Sequence, residues 1–164
     1  MEIRITRHPN PPTPPRGDFG FGSIFTPHMF EMPYRDGAWG RPVIVPYHDI
    51  VLDPAAKVLH YGQEIFEGMK AYASPVDGSV HMFRPDMNIA RFGHSCDRMC
   101  MPRVDADLFM EALKRLIDLD RDWVPKSPDA LYIRPTMIST QRGLGVKAST
   151  EYLFYIIIGP VGSY

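Results

Sequence analysis

The chain has 164 residues, 45% of them hydrophobic, and a formal net charge of −1. That length suits one domain with a substantial buried core, and a near-neutral balance supplies no basic field for nucleic acid or anionic lipid. No run approaches the ~18 consecutive apolar residues of a membrane span, and two cysteines without an apolar leader point to a reducing, cytoplasmic setting.

In chain order, residues 1–18 form a proline-rich arm. Pro9, Pro11, Pro12, Pro14 and Pro15 fix φ and remove donors, which predicts an extended or disordered segment. A plain terminal arm is the ordinary reading, and a PxxP partner segment is the alternative. Phe19 to Met32 mixes aromatics with glycine and reads as a strand entered through a glycine bend. Asp36-Gly37 signals a hairpin turn ahead of the β-branched run Val43-Ile44-Val45. Pro54 ends a strand-like segment from Ile50 to Leu52.

His60 to Tyr72 packs Tyr61, Phe66, Gly62, Gly68 and charged groups into one short stretch with no single apolar period. It is either a loop with aromatic walls or a buried hairpin corner. A single helical turn is predicted between the two glycines, then a strand from Glu67 to Ala73, and Asp77-Gly78 turns the chain into a further strand, Val80 to Phe83.

From Pro85 the period changes. Proline suits a first helical position, and Ile89, Phe92, Cys96 and Met99 recur on one apolar face. Cys96 and Cys100 lie one turn apart, the spacing of half a metal site, but no second ligand pair follows, so buried or half-buried free thiols are expected and no metal. Arg91 lies off the apolar face. A second helix is capped by Asp105 or Asp107, carries Phe109, Ala112, Leu113, Leu116, Ile117 and Trp123 as its core stripe, and stops at Val124-Pro125. Leu131 to Ser139 reads as a strand whose period places Tyr132 and Arg134 on one face and Leu131 and Ile133 on the other. Gln141 to Val146 is a glycine-punctuated loop, and Tyr152 to Ile158 suits a central strand. These elements predict an α+β domain over 19–158, an antiparallel sheet with two helices packed on one face.

LHYGQEIFEGMKAY, FRPDMNIAR, DLDRDWVP, LYIRP, GLGV and GPVGSY occur in that order, and from Phe21 to Tyr164 the chain resembles the small domain of branched-chain amino-acid aminotransferases, pyridoxal-phosphate enzymes of fold type IV. The resemblance implies the cofactor pyridoxal 5'-phosphate, amino acids and 2-oxo acids as ligands, and a homodimer in which loops of the partner subunit complete the pocket. It implies transfer of the amino group of leucine, isoleucine or valine to 2-oxoglutarate. Arg91 matches the arginine that grips the cofactor phosphate, a task suited to a guanidinium fork. Phe21, Tyr61, Phe66, Tyr132, Leu144 and Val146 match the walls of the substrate pocket, and Arg134 matches the candidate for the distal carboxylate of glutamate.

In the family the Schiff-base lysine lies in the large domain. None of Lys57, Lys70, Lys114, Lys126 and Lys147 stands in that context, so the chain by itself is expected to contain no catalytic residue and to be inactive, with 159–164 the start of an interdomain connection. The alternatives are a non-catalytic phosphate-ligand or oligomerisation module, and a fold-type-IV relative acting on D-amino acids or aminodeoxychorismate.

Overall fold

The computed structural model describes residues 1–162. Its elements are β1 (Arg4–Ile5), β2 (His28–Arg35), β3 (Ala38–Trp39), β4 (Val43–Pro46), α1 (Lys57–Tyr61), β5 (Glu64–Phe66), β6 (Met69–Ala73), β7 (Val80–Met82), α2 (Pro85–Arg98), α3 (Ala106–Leu119), a 3-10 turn at Arg121–Trp123, β8 (Ala130–Ser139) and β9 (Tyr152–Val161). The strands form one sheet in the order β1-β4-β2-β9-β8-β6-β7, with β3 on β2 and β5 on β8. Pairing is antiparallel throughout except between β1 and β4, which run parallel. The expected α+β architecture is therefore present, with one parallel pair at its edge.

The long pair at the centre follows from period two. β8 and β9 run in register from Ala130↔Val161 to Ser139↔Tyr152, so Leu131, Ile133 and Met137 share a face with Phe154, Ile156 and Ile158. That face is buried under α2, through Ile89, Phe92 and Cys96, and under α3, through Phe109, Ala112, Leu113 and Leu116. Phe92, Phe109 and Phe154 meet with ring centroids 4.9 to 5.4 Å apart, and edge-to-face geometry of this kind adds to the gain from burial itself. Asp105 caps α3 by accepting from the Leu108 N–H at 2.9 Å. Asp36 and Gly37 both take positive φ, as a two-residue hairpin turn requires.

Several boundaries differ from the sequence reading. The helical turn lies before Gly62, not after it: Gly62 ends α1 in a left-handed cap, its N–H bonded to the Val58 carbonyl. Glu64–Phe66 is instead strand, because Ile65 faces the core between two outward residues. Ile50 to Leu52 belongs to no strand. The strand expected from Phe19 begins only at His28, since residues 19–27 pass over the sheet as an irregular segment tied by Thr26 N–H to the Ile158 carbonyl at 2.9 Å. Met99 caps α2 rather than continuing its apolar face. β9 extends through Gly159 and Pro160 to Val161, beyond the expected boundary at Ile158, while Ser163 and Tyr164 lie outside the described residues.

The arm is also more integrated than its prolines suggest. Ile3 is part of the buried core, and the His8 N–H donates to Nε2 of buried His28 at 2.7 Å. A backbone N–H only donates, so Nε2 is unprotonated and the ring proton sits on Nδ1, directed at Asp120 Oδ1 2.6 Å away. The arm is thereby held to the end of α3.

Gly159 lets the 19–27 segment cross: a Cβ there would lie 2.0 Å from the Ile24 carbonyl oxygen. Gly159→Ala must shift backbone and is expected to destabilise the protein by about 1–3 kcal/mol, whereas Gly145→Ala, which meets nothing within 4 Å, should stay within about 0.5 kcal/mol. Urea unfolding of the two variants checks this, and equal midpoints would contradict the crossing.

Candidate functional site

The site is laid out along the side of β8 that faces β5 and β6. β5 pairs with Thr136–Ile138 and β6 with Leu131–Ile133, and the register of Phe66↔Thr136 continues unshifted at Met69↔Ile133. Between them the ladder opens opposite Pro135, which has no N–H to give. Its carbonyl still accepts from the Glu67 N–H at 2.9 Å. Glu67 and Gly68 span this gap and point to opposite faces, Glu67 toward the helices and Gly68 away from them.

On the face away from the helices, Tyr132 and Arg134 project together. Arg134 Nη2 donates to the Tyr132 hydroxyl at 2.8 Å, and the guanidinium lies 4.3 Å from the centre of the Phe66 ring. Phe21 meets Tyr132 edge-on with centroids 5.0 Å apart. A Cβ on Gly68 would come within 2.3 Å of the Tyr132 hydroxyl, so the absence of a side chain there sets how far Tyr132 can lean over the gap. The result is a cleft of about 330 Å³ whose lining includes Phe21, Phe25, Tyr132, Arg134 and Ile157. Arg134 Nε is buried and has no hydrogen-bond partner among the described residues, which leaves a cationic donor against aromatic walls.

Tyr61, Leu144 and Val146 form a separate group. α1 is stitched to the 141–147 loop: the Gly143 N–H donates to the Ala55 carbonyl, the Lys57 N–H to Gln141, the buried Lys57 Nζ to Lys147, and the Tyr61 hydroxyl to Leu144. The side chains of Leu144 and Val146 face outward, Val146 at 90% exposure. None of these contacts joins the group to Phe21, Phe66, Tyr132 and Arg134.

Arg91 stands on the helix side of the sheet, apart from both groups. Its Nε and Nη2 donate to the two Glu67 oxygens at 2.5 and 2.7 Å, and Asn88 Nδ2 adds a bond of 2.9 Å. The Glu67 side chain is 3% exposed and that of Arg91 68%, so a buried carboxylate holds an outward-facing cation. Burial alone would push the Glu67 carboxyl up, but the hydrogen bonds from Arg91 and Asn88, the Arg91 charge and the Gly68 N–H together outweigh it and hold the pKa below the usual value. The same pair raises the Arg91 pKa.

No family model matches the chain. Over 153 residues, 92% of its length, it is 52% identical to Branched-chain-amino-acid transaminase 1 of Bacillus subtilis (strain 168), of which it covers 43%. The chain belongs to the branched-chain aminotransferase family. It spans less than half the length of that relative and corresponds to the N-terminal part of such proteins. Among solved structures, the branched-chain aminotransferase of Thermoproteus uzoniensis with norvaline shares the fold at a TM-score of 0.65 and 19% identity, over 84% of this chain and 42% of that one. The T.th. branched-chain amino acid aminotransferase with pyridoxamine 5'-phosphate aligns at 0.58 and 23% identity, over 81% and 40%. The chain therefore shares the fold of branched-chain aminotransferase structures over that part of their length.

Sequence reasoning missed Glu67, Asn88 and Lys57 as structuring residues. Glu67 had a readable signal, since it falls in phase with Ile65, Met69 and Ala71 and so places a charge on an otherwise apolar strand face. Both thiols are free, as expected, but only one of the two is buried. Cys96 is buried, and burial, then the neighbouring Asp97 charge, push its pKa to about 11, while Cys100 is exposed. Among the described residues no cluster suits a metal ion. A thiol reagent near pH ~7.5 is expected to label Cys100 in the native chain and to reach Cys96 only after denaturation. Mass spectrometry of the labelled protein decides this, and equal labelling of both would show that the core between α2 and β9 opens readily.

Proposed function

We propose that the protein carrying this chain is a pyridoxal-5'-phosphate-dependent transaminase that moves the amino group of leucine, isoleucine or valine to 2-oxoglutarate. The observation that carries the reading is Arg134, a cation set against Phe66 and Tyr132 with a buried Nε that has no partner among the described residues. Such a group suits the carboxylate of an amino or oxo acid, including the distal carboxylate of glutamate, while Phe21, Phe66 and Tyr132 give a branched side chain apolar contact. Filling space of that kind is worth ~1–3 kcal/mol per methylene. Identity of 52% to a branched-chain transaminase supports the substrate class.

The donor set at Arg91 fits a phosphate. A guanidinium offers five N–H groups, and Glu67 takes one from Nε and one from Nη2. The Nη1/Nη2 edge remains open, and two parallel N–H groups there match a phosphate fork. The T.th. structure carries pyridoxamine 5'-phosphate, which supports this cofactor. When bound, the cofactor supplies an electron sink for the substrate carbon; this chain's part is to hold its phosphate, orient the substrate carboxylate and wall off water. Lys57 is engaged by the Lys147 carbonyl, and Lys114, Lys126 and Lys147 are exposed. Lys70, paired in register with Tyr132, we read as part of the wall. The chain alone is accordingly proposed to be inactive. Tyr61, Leu144 and Val146, held away from the cleft, would complete the pocket of a second subunit in a homodimer.

Turnover by the whole protein that carries this chain tests the reading. With 2-oxoglutarate as acceptor, leucine, isoleucine and valine are expected to be used at least ~10-fold better, by kcat/KM, than aromatic or D-amino acids. Faster use of a D-amino acid, or of aminodeoxychorismate, would replace it.

A further inference from the structure

We infer that Glu67 is a positioning residue that aims the open edge of Arg91 at an anionic ligand. The inference rests on the proposal that Arg91 binds the cofactor phosphate and adds a second, buried residue to that site. Glu67 and Arg91 come from different elements, the strand gap and α2, and meet because strand alternation turns the Glu67 side chain to the helix face of the sheet. The carboxylate accepts from Asn88 Nδ2 and from the Gly68 N–H at 3.4 Å, and the residue's backbone N–H is tied to the Pro135 carbonyl. With both oxygens engaged by Arg91, the guanidinium plane has one orientation, although the side chain is two-thirds exposed. An exposed arginine without such a partner would sample many rotamers and lose that freedom on binding.

Two effects of Glu67 on an anion oppose each other. Its charge repels the ligand, and its fork pre-orients the ligand's partner. Solvent around Arg91 screens the first, whereas the second concerns bonds made directly to the guanidinium. Orientation is therefore expected to win, and the sign of the change on removing the charge distinguishes the two. Glu67→Gln keeps the shape but opposes one Arg91 N–H with an amide NH₂, which breaks the fork.

The experiment measures the dissociation constants of pyridoxal 5'-phosphate and of pyridoxal, which lacks the phosphate, by absorbance titration of the whole protein that carries this chain. Wild type, Glu67→Gln, Arg91→Ala, the double variant and Arg98→Ala as a surface control are compared. Glu67→Gln is expected to weaken the phosphorylated ligand by roughly 5- to 30-fold and to leave pyridoxal unchanged, with the double variant no weaker than Arg91→Ala alone. Should Glu67→Gln fail to fold, Asn88→Ala is expected to weaken the same ligand by roughly 2- to 5-fold through the loosened carboxylate, and no change there overturns the inference. Unchanged or tighter binding in Glu67→Gln, or additive losses in the double variant, also overturns it while leaving Arg91 as the phosphate group. If Arg91→Ala binds like Arg98→Ala, the phosphate assignment and this inference fall together.

Discussion

Pro135 has no N–H to offer the strand beside it, and the arrangement of the site depends on that single absence. The ladder along β8 parts where β5 ends and β6 begins, yet the register does not slip, so the two bridging residues keep the alternation of a strand while Glu67 retains only its own N–H bond to the Pro135 carbonyl. One of them, Glu67, turns its carboxylate to α2 and fixes Arg91. The other, Gly68, leaves room for the Tyr132 hydroxyl on the far face. A phosphate-sized anion held by Arg91 and a carboxylate held by Arg134 would thus approach the sheet at one interruption from its two sides.

The packing explains why this interruption is tolerated. The aromatic cluster of Phe30, Phe92, Phe109 and Phe154 lies between β2, β9 and the two long helices, away from the gap. Burial there supplies the stability, at ~25 cal/mol per Å² of apolar surface removed from water. β8 keeps all ten pairings on its β9 side, so the missing bond on the other side disturbs a strand that is already anchored. The opposite face carries Tyr132, Arg134 and Phe66, only partly buried or exposed, where a core would have been apolar and closed.

Much of the layout is readable from residue order. Period two in Leu131–Ser139 separates Tyr132 and Arg134 from the core positions, the three- and four-residue spacing locates both long helices, and Asp36-Gly37 locates its hairpin. The failures have physical causes. Residues from Phe19 to Thr26 have strand-like composition, but their backbone bonds across to β9 through single contacts made available by Gly159, a long-range event that no local propensity encodes. Gly62 reads in sequence as the opening of a helical turn, whereas its left-handed conformation closes one. The proline-rich arm reads as detachable because the ties that hold it, Ile3 in the core and His8 on His28, join residues distant in sequence. At the site, the pocket residues fall into two groups and Arg91 into a third location, a separation that motif order alone does not contain.

The central claim is that an anion binds at the Glu67–Arg91 corner. Two-dimensional ¹⁵N–¹H spectra of isotope-labelled protein, recorded while pyridoxal 5'-phosphate is added, test this most directly, since backbone amides and the Arg91 Nε–H report their own surroundings. The largest shifts are expected at Glu67, Gly68 and Asn88 and at the Arg91 side chain, with β1 and the His28 region unmoved. Shifts centred on β1 and the His28 region, with Gly68 and Arg91 unchanged, would contradict the assignment.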